Sequence, residues 1–172
     1  CRYHINQISS KKSLEVIKKN KNNGKKFSVG VSINNLSLNE NDIGEFKTFL
    51  KISPPLRTED DRLALVQGIK EDLIDVIVSD HLPEDEESKR LPFAQAATGA
   101  IGIETLLPLA LEMYHNESLP LEKIIKTITI NPSKILKINK GSLKKGSDGD
   151  ICIFDLETPW KLDAEILKSK SK

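Results

Sequence analysis

Apolar positions along the chain alternate between two periods. Residues 3–8, Tyr-His-Ile-Asn-Gln-Ile, carry strand-forming types and stop at Ser9 and Ser10. From Ser13 to Asn23 the spacing turns helical. Leu14, Val16 and Ile17 form an apolar side opposite lysines, and Gly24 is placed to end the helix. Phe27–Ile33 alternates as a second strand. Phe46–Ile52 reads as a third, closing at Ser53-Pro54-Pro55, where proline interrupts any ladder. Thr58 and Asp61 have capping-box spacing, and the helix they open runs to Lys70 with Leu63, Val66 and Ile69 near a helical period. Ile74–Val78, rich in β-branched residues, suits a strand buried on both faces of a parallel sheet.

Further helices are expected over Gly102–Tyr114 and Pro120–Ile130, with Pro120 tolerated in a first turn, and a short one from Pro132. The pattern then changes. Gly141 to Asp150 is rich in turn residues and feeds Ile151–Asp155, which reads as a hairpin or a strand of a small separate sheet. A boundary therefore falls near residue 140, and no internal repeat is visible. Strands alternating with helices give an α/β fold, and buried strands favour a parallel barrel or a doubly wound sheet.

Composition narrows the function classes. The chain has 172 residues, 38% hydrophobic and 30% charged, which is globular. No apolar run reaches the roughly 18 residues of a membrane helix. Lys plus Arg number 26 against 25 Asp plus Glu, so the basic excess of a nucleic-acid binder is missing. The first 26 residues hold eight basic side chains and one acidic one, without interleaved aromatic platforms, and read as a solvated helix face. Two cysteines, Cys1 and Cys152, make neither a disulfide framework nor a four-thiolate zinc site, so a reducing cytoplasmic compartment is the simplest reading. A start without Met and a polar finish at Leu167–Lys172 read as an internal piece of a longer protein.

Chemistry concentrates at Ser79-Asp80-His81-Leu82-Pro83. This stretch follows the buried run 74–78, where a barrel presents side chains at its catalytic rim. A carboxylate there can bind a metal or take a proton from water, and the plain structural alternative is a turn cap at Asp80 with His81 on backbone.

Ser53-Pro54-Pro55-Leu56-Arg57, then Ile74 to Pro83, then Lys89, then Gly99-Ala-Ile-Gly102-Ile-Glu104-Thr105-Leu-Leu-Pro108 follow one another in an order that resembles the second half of a dihydroorotase of the amidohydrolase superfamily. Gly141-x-Leu-x-x-Gly146 through Gly149-Asp150 resembles that superfamily's return into a small β domain. The run Val31–Gly44, with Lys89–Phe93, is most similar to an alphaproteobacterial-type branch with altered ligand positions. The resemblance implies the second half of a (β/α)8 TIM-type barrel over residues 1–140, with strands five to eight at 3–8, 27–33, 47–52 and 74–79. Residues 141–172 are then part of a small β domain. It also implies a cytoplasmic homo-oligomer that closes N-carbamoyl-L-aspartate to dihydroorotate in pyrimidine synthesis, with zinc as the family's metal. Asp80 matches the proton-shuttling aspartate and a possible metal ligand. Arg57, Ser53, His81, Gly99 and Gly102 match substrate-facing positions, although Ser53 stands where an Asn is frequent.

Several family positions differ. Gln7 and Asn34 stand where the family has zinc-binding histidines, and Glu84 replaces a further histidine. Neutral amides lie outside zinc's usual ligands. Losing the metal returns the pKa of water from roughly 7 to about 15.7, which is worth about 12 kcal/mol of hydroxide availability. A general base recovers ~10²–10⁴-fold, or about 3–5 kcal/mol. Two readings follow: a cyclic-amide hydrolase using Asp80, or a metal-poor subunit that scaffolds aspartate carbamoyltransferase. An allantoinase or hydantoinase shares the fold but wants the same histidines.

Overall fold

The computed structural model describes residues 2–171. Its centre is a parallel sheet of three strands, β1 (His4–Ile5), β2 (Ser28–Ser32) and β3 (Val76–Val78), in the spatial order β1-β2-β3. His4 pairs with Ser28, and Val31 pairs with Ile77. The Ile8 N–H bonded to the Gly30 carbonyl at 3.1 Å extends the β1–β2 contact past the short ladder. β2 lies in the middle, and Val29 and Val31 are fully buried, which explains its β-branched composition. The α/β class expected from the sequence is present.

Helices α1 (Lys11–Asn22), α2 (Ile33–Ser37), α3 (Glu59–Lys70), α4 (Glu86–Lys89), α5 (Leu106–His115), α6 (Leu121–Ile128) and α7 (Ile130–Leu136) surround the sheet. The Ser10 hydroxyl caps α1 by accepting the Ser13 N–H, and the helix opens at Lys11, two residues before the apolar period suggests. It ends as the sequence indicates. Gly24 takes φ +76°, its N–H donates to the Lys21 carbonyl, and the Lys25 N–H reaches the Asn20 carbonyl. α3 starts at the expected cap, Thr58. The Asp61 carboxylate accepts the Thr58 hydroxyl and, from another helix, the Lys11 N–H, each at 2.8 Å. One side chain thus serves the first turns of both α1 and α3, which pack together. Leu14, Ile17, Leu65 and Ile69 are buried there, each stabilising the fold by roughly 2 kcal/mol, while Val16 and Leu63 face solvent.

The carboxylate of Asp75 ties β2 to β3. It accepts the Val29 N–H at 2.8 Å and pairs with Lys21 at 3.1 Å, while the Asp75 N–H donates to the Val29 carbonyl at 2.8 Å. The Asn131 amide binds the Asp75 carbonyl at 2.7 Å, which fastens α7 to the same point.

The structure differs from four expectations. Residues 47–52 do not form a strand. Phe46 takes φ +60°, Thr48–Leu50 is a 3₁₀ turn, and the Lys51 carbonyl accepts the Gly99 N–H instead of a ladder partner. β3 therefore pairs directly with β2. The helix expected from Gly102 begins at Leu106, because the Gly102 N–H donates to His81 Nδ1. The segment expected as one helix to Ile130 breaks at Thr129 (φ −124°, ψ −80°), and α7 restarts with Pro132 inside its first turn. Residues 151–155 form no strand with any described partner, and Ile151 and Ile153 are 67% and 92% exposed.

Candidate functional site

The three strands run parallel, so their C-terminal ends share one edge of the sheet. Gln7 follows β1, Asn34 follows β2 and Asp80 follows β3. Gln7 Nε2 donates to Asp80 Oδ1 at 2.6 Å, joining positions 73 residues apart. Oδ2 carries no hydrogen bond among the described residues, so one carboxylate oxygen is held and the other is free. Asp80 adopts φ +50°, a left-handed conformation that Asp tolerates better than most non-glycine residues. That turn lifts the chain off the strand and carries the side chain to the rim.

The loop of residues 97–102 holds both flanks of this turn. Ala100 forms a parallel bridge with His81, and the Leu82 N–H donates to the Ala100 carbonyl at 2.8 Å. His81 Nδ1 accepts the N–H groups of Gly102 at 3.1 Å and Ile103 at 3.4 Å. An accepting Nδ1 leaves the ring proton of the neutral imidazole on Nε2. A Cβ at position 102 would lie 1.9 Å from the Ser79 carbonyl oxygen, so only glycine permits this approach. His81 and Gly102 are thus brought beside Asp80, and Gly99 anchors the start of the loop.

Other sequence-predicted residues stand apart. Ser53 and Arg57 are exposed on the loop before α3, and no hydrogen bond among the described residues joins either side chain to Asp80. The Asn35 amide fastens this loop by donating to the Pro55 carbonyl at 3.2 Å. His4 does not approach Asp80; its Nδ1 lies 2.7 Å from Ser28 Oγ on the neighbouring strand. Asn34 is buried, and its Nδ2 has no partner. A cavity of about 300 Å³ adjoins Asn34, walled by Phe49, Ile52, Leu56, Ile101 and Leu109; neither Asp80 nor Gln7 lines it.

The described residues alone do not make a zinc centre. The described residues contain no group of three His, Cys, Asp or Glu side chains placed to hold a metal. At the two expected ligand positions, the Gln7 amide nitrogen is spent as a donor to Asp80 and the Asn34 nitrogen is buried without an acceptor. N–H donors are not ligands, and one carboxylate does not make a zinc centre.

Lys89 has no assigned role in the sequence reading, yet it is 1% exposed. Its ammonium donates to the carbonyls of Gly99 at 2.7 Å and Ala97 at 3.0 Å, with Lys51 at 3.5 Å. Burial pushes its pKa down, the Glu84 charge opposes that, and the Lys51 charge adds to it. The sequence marks this lysine only by its place in the family order between Pro83 and Gly99, and nothing local shows that it is buried.

Known proteins match nearly the whole chain. The dihydroorotase of Ehrlichia canis (strain Jake) is 44% identical over 170 residues, 99% of this chain and 38% of that protein. The dihydroorotase of Aquifex aeolicus (strain VF5) is 40% identical over 98% of this chain and 40% of its own length. The chain therefore spans about two-fifths of the curated relatives it matches. Among solved structures, the L-hydantoinase (dihydropyrimidinase) from Arthrobacter aurescens superposes with a TM-score of 0.86 at 30% identity, covering 96% of this chain and 38% of that one. The amidohydrolase family matches residues 5–172, and with the parallel sheet and its aspartate at the rim this places the chain in that family.

Proposed function

We propose that the whole protein is a dihydroorotase-like hydrolase of cyclic amides, interconverting dihydroorotate and N-carbamoyl-L-aspartate in the cytoplasm as a homo-oligomer. The observation that carries this reading is Asp80, held at the strand rim through one oxygen by Gln7 with the other oxygen free. Relatives named dihydroorotase at 40–44% identity along nearly the whole chain support the same substrate class. In the hydrolytic direction water adds to the ring carbonyl carbon while Asp80 accepts its proton. The ring C–N bond then breaks, and Asp80 returns the proton to the leaving nitrogen. Oδ2 is the oxygen available for both transfers. Arg57, Ser53 and the 99–102 loop with His81 are the proposed substrate contacts.

The same reading assigns β1, β2 and β3 to the fifth, sixth and eighth strands of a barrel, with residues 47–52 displaced from the seventh position because β2 and β3 pair directly. Residues 141–172 then enter a small β domain completed by other parts of the protein. The assay is turnover of dihydroorotate by the whole protein, alongside a hydantoin. Asp80→Asn is expected to lower kcat at least ~100-fold; an unchanged kcat refutes the role.

The alternative reading, consistent with amides at Gln7 and Asn34, is a non-catalytic subunit that scaffolds aspartate carbamoyltransferase. Protein inert on both substrates that co-elutes with the transcarbamoylase in size-exclusion chromatography decides for it.

A further inference from the structure

A buried ammonium is costly unless its donors are satisfied, and an effective penalty of several kcal/mol per ion is usual. Lys89 has no carboxylate within ion-pair distance among the described residues; its partners are main-chain carbonyls. It sits at the end of α4, and the ring of Phe49 lies 5.9 Å from its nitrogen. The two carbonyls it holds most closely, Ala97 and Gly99, begin the loop that bridges to His81 at Ala100, accepts the Leu82 N–H and presses Gly102 against Ser79. Ser79 and His81 are the immediate neighbours of Asp80 in sequence. The Gly99 N–H is also bound, to the Lys51 carbonyl at 2.9 Å, so the two consecutive peptide units that meet at Gly99 are each held.

We propose that Lys89 is a positioning residue: its ammonium clamps the 97–102 loop onto the Ser79–Leu82 segment and thereby holds the left-handed turn that aims the Asp80 carboxylate. A neutral side chain of the same length can fill the space without gripping the carbonyls. The loop then loses its anchor at Gly99, and the bonds to His81 and Leu82 open more frequently. Lys51 cannot substitute, because its ammonium is engaged by the carbonyls of Phe93, Ala94 and Ala96.

The effect on turnover rests on the hydrolase reading above; the mechanical coupling does not, and the two are measured separately. In the whole protein, Lys89→Met is compared with Ile17→Val, a core truncation in α1 that supplies a matched loss of stability. Hydrogen–deuterium exchange of peptides spanning 79–83 and 97–104 is expected to quicken about tenfold in Lys89→Met, with α1 and α3 unchanged. Ile17→Val is expected to leave both peptides at wild-type rates. On dihydroorotate, kcat falls about 10- to 100-fold in Lys89→Met with a smaller change in KM, while Ile17→Val keeps its kcat. Lys89→Gln, which retains N–H donors, falls between wild type and Lys89→Met in exchange rate, and it carries the test if Lys89→Met does not fold. Unchanged exchange at 79–83, or exchange raised equally in α1 and α3, overturns the proposal. If wild type itself does not turn over dihydroorotate, the hydrolase reading fails and the exchange data alone decide the role of Lys89.

Discussion

Residues 2–140 and 141–171 carry similar local signals and reach different ends. Both contain runs of β-branched and aliphatic residues flanked by turn formers. In the first region Val29, Val31, Ile33 and Ile69 are fully buried; in the second, Leu143 is 88% and Ile153 92% exposed. What separates them is the supply of neighbours. β2 has a strand on each side and helices around it, whereas Ile151–Asp155 has no ladder partner among the described residues. An alternating apolar pattern is thus a request for a partner, and the sequence of one segment does not provide it.

Truncating the core should produce the largest contrast. Ile69→Ala in the whole protein is expected to cost about 4 kcal/mol in denaturant unfolding, from lost burial plus the cavity left behind. Ile153→Ala is the sharper probe. A cost below about 0.5 kcal/mol means the side chain remains solvated, as seen here; about 2 kcal/mol or more means the rest of the protein covers it, as the small β domain requires.

Backbone contacts give the next effect. Gly102→Ala drives a methyl into the Ser79 carbonyl and is expected to cost on the order of 3 kcal/mol, lowering the thermal midpoint by circular dichroism. Gly149 has open space around it, and Gly149→Ala is expected to stay within about 0.5 kcal/mol. Equal effects would erase the distinction between the two regions.

The smallest contrast is in pH dependence. Arg62 and Asn39, bonded to the Glu59 carboxylate, hold its pKa down to about 2 from 4.5. A depressed carboxylate stabilises the fold fully above its unfolded value and loses that contribution as pH falls from 4.5 toward 2. The stability difference between wild type and Glu59→Gln should therefore shrink over this interval. Across the junction of the two regions, Asp148 and Asp150 push the Lys140 pKa up to about 12 from 10.5. Its contribution is complete below 10.5 and fades as pH rises toward 12, so the difference from Lys140→Met closes in alkali instead.

Local chemistry was the legible part. Thr58 as a cap, Gly24 as a helix terminator, the β-branched run into β3 and the polar turn at Asp80 all act through neighbours a few residues away. Segments governed by distant partners were not legible. Residues 47–52 have strand-forming side chains, but the carbonyl of Lys51 is claimed by Gly99. Val16 and Leu63 fit the helical period and still face water, because period defines a stripe and not which edge of it is covered. At the site, Gln7 was identifiable as a replaced ligand position, while its bond to Asp80 depends on strand order. Lys89 stands out only by its place in the family order, because burial of a lysine leaves no local mark.

The carboxylate of Asp75 has a consequence five residues downstream. Successive side chains on a strand point to opposite faces, so sliding β3 by a single position would exchange its inner and outer sets. Such a slip would separate Asp75 from both the Val29 amide and Lys21, stranding a negative charge beside an unsatisfied donor. Misaligned pairings are thereby penalised from the moment the two strands meet, and the chain leaves β3 with the Asp80 carboxylate already turned toward Gln7.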